Sequence, residues 1–326
     1  MRPPVDQLTE ELLVALLADA PEDYLGADAL CGKLGLPRTV VFRQIDQLRS
    51  KGYRIDLRPA QGYRLMAVPD RLTALELSPL LDTEELGRTV HAFDSVESTN
   101  DVARALAEDG AGHGELVITE SQTKGRGRRG RTWLSPPGKN LTFSLVLRPN
   151  LPLDRVAELT LAAGVAVTEV LRSAAFNAQL KWPNDVLIGG LKVAGILTET
   201  AVEEGILRYA ILGIGLNVNV DPLPVELAGV ATSLQAVRGE AVPRALLLSA
   251  LLGRLESWIE QIQGQGFAGV LDRCRTWSAT LGRRVHLEGP PVVEGMAESI
   301  EADGALLVRS DAGTVQRVVA GDVGLV

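Results

Sequence analysis

Cysteine is scarce in this 326-residue sequence: Cys31 and Cys274 are its only two, far apart and in none of the paired spacings that zinc or redox motifs need. Free thiols in a reducing cytoplasm are expected. The three histidines, His91, His113 and His286, are equally scattered. His113 lies in Gly112-His113-Gly114, where the glycines predict a tight turn and a structural role rather than general base catalysis. No apolar run is long enough to span a bilayer, and the N-terminus lacks a basic segment followed by an apolar core and a small-residue cleavage site. A cytoplasmic protein without a membrane partner is expected. There is no Gly-x-Ser-x-Gly elbow, which disfavours a serine hydrolase, and no Gly-x-x-x-x-Gly-Lys-Ser/Thr loop, so a nucleotide must be held in another way. Solenoid repeats and low-complexity tracts are missing too.

What is present is concentrated. The net charge is −8, yet Gly125-Arg126-Gly127-Arg128-Arg129-Gly130-Arg131 packs four arginines among three glycines. Glycine lets backbone N–H groups approach a ligand, and arginine supplies a planar fork of donors suited to phosphate or carboxylate. The natural reading is a loop that closes over an anion; taken alone, the same run also suits a solvated turn or an RNA-binding patch. With 46% hydrophobic and 23% charged residues, the chain is long enough for two or three globular domains.

The first segment reads as three helices and a hairpin. Thr9 can cap a helix whose Leu12, Leu13, Leu16 and Leu17 share a face, Asp28 to Leu34 forms a second that stops at Gly35, and Pro37 opens a third. In that third helix Val40, Val41, Ile45 and Leu48 are apolar, with Arg38, Arg43, Gln44 and Gln47 expected outward, and Gly52 ends it. The echoing pair Gly52-Tyr53-Arg54-Ile55 and Gly62-Tyr63-Arg64-Leu65, separated by Arg58-Pro59-Ala60-Gln61, predicts a two-stranded wing. This is a winged helix-turn-helix pattern. From Pro37 through Arg54 five basic residues stand against Asp46 alone, a surplus that a recognition helix needs to meet DNA phosphates. Arg38, Thr39, Arg43, Gln44 and Gln47 are the candidate DNA contacts. A module that packs only on protein is the competing reading, supported by the acidic group Glu10, Glu11, Asp19, Glu22 and Asp23.

Beyond a boundary near residue 70, short apolar strands are expected at Val90–Phe93, Leu116–Glu120, Leu141–Leu147, Gly195–Glu199 and Tyr209–Val218. Helices are expected at Val156–Leu171, Arg244–Gln263 and Phe267–Trp277. The strands alternate with turns too closely for a regular Rossmann unit, which predicts an antiparallel or mixed sheet with helices on one side. After Gly282, short strands at Arg284–Leu287, Val292–Ile300, Ala305–Arg309 and Val315–Ala320 predict a small β-barrel of SH3-like size.

Five motifs in series run through the middle of the chain: Glu97-Ser98-Thr99-Asn100; Gln122-Thr123-Lys124 leading through the Gly/Arg loop to Trp133; Lys181-Trp182-Pro183-Asn184-Asp185; Lys192-x-Ala194-Gly195-Ile196-Leu197; and Gly213-Ile214-Gly215-x-Asn217-Val218-Asn219. In order and spacing they resemble the biotin protein ligases, in particular the bifunctional bacterial type with an N-terminal DNA-binding domain, and the resemblance covers almost the whole chain. It implies an α+β multidomain protein: a winged helix-turn-helix domain over residues 1–68, a mixed-sheet α/β ligase core of the biotin/lipoate ligase type over 69–275, and an SH3-like C-terminal domain over 276–326.

The resemblance implies that biotin and ATP give biotinyl-5′-adenylate and pyrophosphate, after which biotin passes to a lysine of a biotin carboxyl carrier protein domain. By resemblance Ser98, Thr99, Asn100 and Gln122 bind the biotin head, while Gly125, Arg126, Gly127, Arg128, Lys192 and Gly195 surround its carboxylate end. Trp133, Lys181, Asn184, Lys192 and Asn217 are implied for ATP and the adenylate. Lys181, Arg126, Arg128 and Asp185 are the implied catalytic set, with no side-chain nucleophile required. Mg²⁺ is expected mainly through substrate phosphates, with Asp185 as the candidate protein ligand. Repression at a biotin operon, with a homodimer in the adenylate-bound state, is the implied second role. A lipoate ligase and a non-catalytic biotin-sensing regulator are the alternatives. The residues keep simpler readings as well, since Lys181 to Asp185 suits a strand end with a turn and Ser98 suits a helix N-cap.

Overall fold

The computed structural model describes residues 5–288 and 292–325, and the chain divides into two compact units, Met1–Leu80 and Leu81–Val326. The first contains α1 (Val5–Ala18), α2 (Ala27–Leu34), α3 (Arg38–Ser50), an antiparallel hairpin of β1 (Arg54–Arg58) and β2 (Gly62–Ala67), and the short α4 (Ala74–Leu77). Gly35 ends α2 with a left-handed φ of 66°, as the sequence pattern requires. Leu13, Leu17, Leu30, Val41, Ile45, Leu48, Tyr53, Ile55 and Tyr63 share one core.

Three local expectations fail in this unit. Thr9 does not cap α1, because the helix already runs from Val5. Leu12 is half exposed and leaves the apolar face to Leu13 and Leu17. Gln44, expected outward as a DNA contact, is fully buried. Position 44 lies three residues after Val41 and four before Leu48, so helical geometry turns it into the core beside them. Arg38, Thr39, Arg43 and Gln47 are exposed.

The second unit is built on a seven-stranded mixed sheet. Its elements in chain order are β3 (Val90–Phe93), α5 (Thr99–Glu108), β4 (Leu116–Thr119), β5 (Leu141–Leu147), α6 (Ala157–Ser173), β6 (Ala178–Lys181), β7 (Asp185–Ile188), β8 (Leu191–Glu203), β9 (Ile206–Leu216), α7 (Leu234–Arg238), α8 (Arg244–Gly264) and α9 (Ala268–Thr276). The strand order is β3-β4-β5-β9-β8-β7-β6; β3 and β4 pair in parallel and every other neighbour is antiparallel. Helices cover both faces of the sheet, not one. Ala103 and Ala107 of α5 pack on Val117, Val146 and Ile211, whereas α6 meets Leu180 and Ile196 on the opposite side. The physical reason is in β5, whose seven residues are all buried: a strand apolar on both faces needs both covered.

The β6–β7 hairpin escapes a period-two reading because its strands have four residues each; Trp182-Pro183-Asn184 makes the turn between them. A second sheet follows, formed by β10 (Arg284–Glu288), β11 (Val293–Ile300), β12 (Leu306–Arg309), β13 (Val315–Val318) and β14 (Asp322–Leu325). It is antiparallel throughout, in the order β13-β12-β11-β10-β14. The last strand, β14, is an addition to the four expected from sequence. Asp322 is its first residue.

Candidate active site

Ser98 stands at the N-cap of α5 with extended backbone, and the helix then carries Thr99 and Asn100 into the sheet. All three are almost completely buried. The Thr99 N–H donates to Gln122 Oε1 at 2.7 Å, which ties the helix start to the segment entering the Gly/Arg loop. Ser144 Oγ on β5 lies 2.7 Å from Thr99 Oγ1 and 2.6 Å from Asn100 Oδ1. Asn100 Nδ2 donates to Glu199 Oε2 on β8 at 2.7 Å, and Arg104 holds the other oxygen of Glu199. Two glycines of β9 make this close packing possible. A Cβ on Gly213 would lie 2.2 Å from Asn100 Oδ1, and one on Gly215 would lie 2.4 Å from the Trp133 ring.

Every arginine in the Gly/Arg loop has an internal acceptor. Arg126 makes a bidentate pair with Asp101 on α5, at 2.6 and 2.5 Å. That guanidinium holds the Asp101 carboxyl below the usual carboxylate range, against the opposing effect of burial. Arg128 donates to Asn184 Oδ1 and to the Gly321 carbonyl, each at 3.1 Å. Asp322 then draws in Arg128 and Arg129 at 3.8 Å each and makes a close ion pair with Arg131. The loop is held at one end by the core and at the other by the C-terminal sheet.

Two cavities meet beneath this loop. One, of about 50 Å³, has Ser98, Thr99, Asn100 and Gln122 at its polar end and the glycine-bearing part of β9 as its floor. The other, of about 240 Å³, is lined by Trp133, Leu134, Asp185, Asn217, Val230 and Asp322 among others. Gly127, Arg128, Trp133, Asn184 and Lys192 line both. Lys192 Nζ pairs with Asp185 Oδ1 at 2.6 Å and stands 5.8 Å from the centre of the Trp133 ring. The Trp133 indole N–H is buried with no hydrogen-bond partner among the described residues. Lys181 ends β6 opposite Asp185 and lines neither cavity. Burial pushes its ammonium below the ordinary lysine range, Asp185 opposes that shift, and Lys192 and Arg131 reinforce it. Asn217 is buried, accepting from Asn140 Nδ2 at 3.2 Å and donating to the Thr232 carbonyl at 3.1 Å.

The sequence profile of the Biotin/lipoate A/B protein ligase family matches residues 92–217, and that of the Biotin protein ligase C terminal domain matches 280–326. The bifunctional ligase/repressor BirA of Bacillus subtilis (strain 168) is 35% identical over 319 residues, covering 96% of this chain and 97% of the relative. The chain belongs to the biotin protein ligase family. The bifunctional ligase/repressor BirA of Escherichia coli (strain K12) is 30% identical over 315 residues, covering 96% of both chains. Among solved structures, the biotin protein ligase from Aquifex aeolicus in complex with biotin and ATP superposes with a TM-score of 0.65 at 29% identity, over 73% of this chain and 98% of that one.

For this ligase, the structure gathers Ser98, Thr99, Asn100, Gln122, Arg126, Gly127, Arg128, Trp133, Asn184, Lys192 and Gly195 around one cavity, with Asp185 and Asn217 on the neighbouring one. Gly125 is buried against Gln122 and the Trp133 backbone. Gly125 and Lys181 line neither cavity. Sequence reasoning missed Asp101 and Asp322 as partners of the loop, and Ser144 and Glu199 as supports of Asn100. The alternation of Gly213 and Gly215 within an apolar run was the readable signal for a close approach on that face. No three His, Cys, Asp or Glu side chains among the described residues converge on a metal-sized site. Nor is any described helix long and apolar enough to cross a membrane.

Proposed function

We propose that this ligase joins biotin to ATP, forming biotinyl-5′-adenylate, and then passes the biotinyl group to a lysine of a biotin carboxyl carrier protein domain. The carrying observation is the meeting of a small polar cavity with a larger one at Arg128, Trp133, Asn184 and Lys192. In the first step a carboxylate oxygen attacks the α-phosphorus, a P–O bond forms, and the bond to pyrophosphate breaks. Two anions must be brought together there, which calls for fixed positive charge at the junction rather than a side-chain nucleophile. Arg128 and Lys192 supply it.

Ser98, Thr99, Asn100 and Gln122 face the ureido head. Gln122 Oε1 is already engaged by Thr99, so its carboxamide offers Nε2 to a ligand carbonyl. Gly125, Arg126 and Gly127 cover the carboxylate end, with Gly195 and Lys192 below. Arg126, Gly127 and Arg128 of the loop wall this cavity, so a bicyclic acid enters as the loop moves and the Arg126–Asp101 and Arg131–Asp322 pairs open. Trp133 gives the adenine a flat face and an unused N–H, and Asn184 and Asn217 border the nucleotide cavity. The phosphate-facing lysine is Lys192; Lys181 acts from behind, through Asp185 beside it in the hairpin. Because Asp185 is neutralised by Lys192, we assign Mg²⁺ to the ATP phosphates and water instead of a protein carboxylate. When bound with ATP it offsets phosphate charge.

The polar cavity end favours biotin over lipoate, since a site built for hydrogen bonds is penalised when they go unmade. Pyrophosphate release with each acid tests this; release with lipoate and none with biotin would overturn it. We further propose three functional domains, 1–68, 69–275 and 276–326. The first is a winged helix-turn-helix that represses a biotin operon, and the last is an SH3-like module that helps receive the carrier. Exposed Arg38, Thr39, Arg43 and Gln47 on α3, followed by the β1–β2 hairpin, support the DNA reading. Adenylate-bound homodimers would reach paired half-sites. Failure to retard the biotin-operon promoter at low salt, with adenylate present, would remove that role.

A further inference from the structure

A third cavity, of about 190 Å³, has no role in the adenylation just described. Its walls come from α6 (Ala157, Thr160, Leu161), the β6–β7 turn (Trp182, Pro183), β8 (Ile196, Leu197, Thr198) and the C-terminal sheet region (Gly304, Val319, Ala320). Arg128 completes it, and Arg128, Ile196 and Leu197 also line the small cavity assigned to biotin. The two spaces share this edge of β8 as a common wall, beside the arginine assigned to the carboxylate end. The topology explains the opening. β7 pairs with β8 only as far as Gly195, Asn184 closes the next step through its hydrogen bonds with Ile196, and no other described strand pairs with that edge of β8 further along.

Exposure is graded along this cavity. Ala157, Val319 and Ala320 are exposed at its mouth, whereas Leu161, Trp182, Ile196 and Gly304 are buried toward the junction. The wall carries no carboxylate and only one charged residue, Arg128 at the inner end. Such a lining suits an unbranched alkyl chain with a polar tip, and it disfavours an anionic ligand everywhere except at Arg128.

We propose that this cavity is the entry channel for the acceptor lysine of the carrier domain, its methylene stem lying between α6 and the Trp182-Pro183 turn. The inference rests on the biotin-ligase reading above. At the inner end the neutral amine nitrogen attacks the biotinyl carbonyl carbon. A C–N bond forms, the C–O bond to the phosphate breaks, AMP leaves with the bonding pair, and the extra proton on nitrogen passes to water. Arrival through an apolar passage favours the neutral amine, because burial disfavours the ammonium form.

The two half-reactions separate the outcomes. Ala157→Phe and Ala320→Phe narrow the mouth from opposite walls. With apo carrier domain as acceptor, each is expected to lower biotin transfer at least tenfold, while biotin-dependent pyrophosphate release stays within twofold of the parent, which also reports a folded core. Hydroxylamine, a small nucleophile with no alkyl stem, is expected to discharge the adenylate at the parental rate in both variants. Unchanged transfer in both variants would overturn the channel, as would loss of transfer accompanied by equal loss of pyrophosphate release or of hydroxylamine discharge. Failure of the parent enzyme to release pyrophosphate with biotin is a separate result, refuting the underlying function.

Discussion

Replacing Gly215 with alanine places a methyl carbon 2.4 Å from Cε2 and 2.6 Å from Cζ2 of Trp133. Ordinary contact begins near 3.4 Å, so the ring must retreat by about 1 Å. The backbone beneath it is fixed, since the Trp133 main-chain N–H is bonded to the Gly125 carbonyl at 2.9 Å, and Lys192 stands 5.8 Å from the ring centre. Overpacking of this kind costs about 1–3 kcal/mol. With the ring against adenine, as proposed, a displacement costing about 2 kcal/mol corresponds to about a thirtyfold rise in the KM for ATP. Gly253→Ala is the companion control, since nothing lies within 4 Å of its new Cβ and the residue is inside α8. That change should raise stability by about 0.5–1 kcal/mol through helix propensity and leave KM alone. Steady-state pyrophosphate release at varied ATP, with thermal melts of both variants, reads the two effects. A Gly215→Ala enzyme with parental KM for ATP and parental melting temperature would refute the placement of Trp133 against this strand.

Three further outcomes are expected. Asp322→Ala removes the carboxylate shared by Arg128, Arg129 and Arg131, so trypsin should cut the ligand-free loop several times faster; an unchanged cleavage rate would show that the ion pairs do not hold it. At pH 8 a disulfide reagent should label Cys31 in the folded protein and spare Cys274, whose burial pushes its thiol up to about 12, with both reacting in guanidinium; equal labelling of the native protein would contradict that burial. Arg43→Ala should weaken operator binding and lower its salt slope by about one, whereas Gln44→Ala should act mainly on the melting temperature of the N-terminal unit; a reversed pattern would mean that the exposed face of α3 has been misplaced.

The legible parts of the fold follow from interactions between near neighbours. Gly35 and Gly52 punctuate the N-terminal helices with positive φ, and the echo around Tyr53 and Tyr63 becomes the β1–β2 hairpin. The long apolar runs became β5, α6 and α8 close to their expected limits. Periodicity failed where a polar residue sits on an apolar face, as at Gln44, and where strands of four residues flank Trp182-Pro183-Asn184. It also could not say that helices cover both sides of the central sheet, because the identity of the covering helix is a property of chain routing.

By itself, the sequence determined which ligase family this is and the order of its motifs: the Ser98-Thr99-Asn100 group, the Gly/Arg loop and the lysine motifs follow one another along the chain. Only the tertiary structure decided their pairings. It put Lys192 rather than Lys181 at the junction of two cavities, gave Arg126 to Asp101, and brought Asp322 to Arg131 across 191 positions of sequence. Motif spacing records what lies within a turn or a hairpin. Contacts made across a sheet and between one sheet and the next depend on the packing of everything between them, and that packing supplied the loop's anionic anchors.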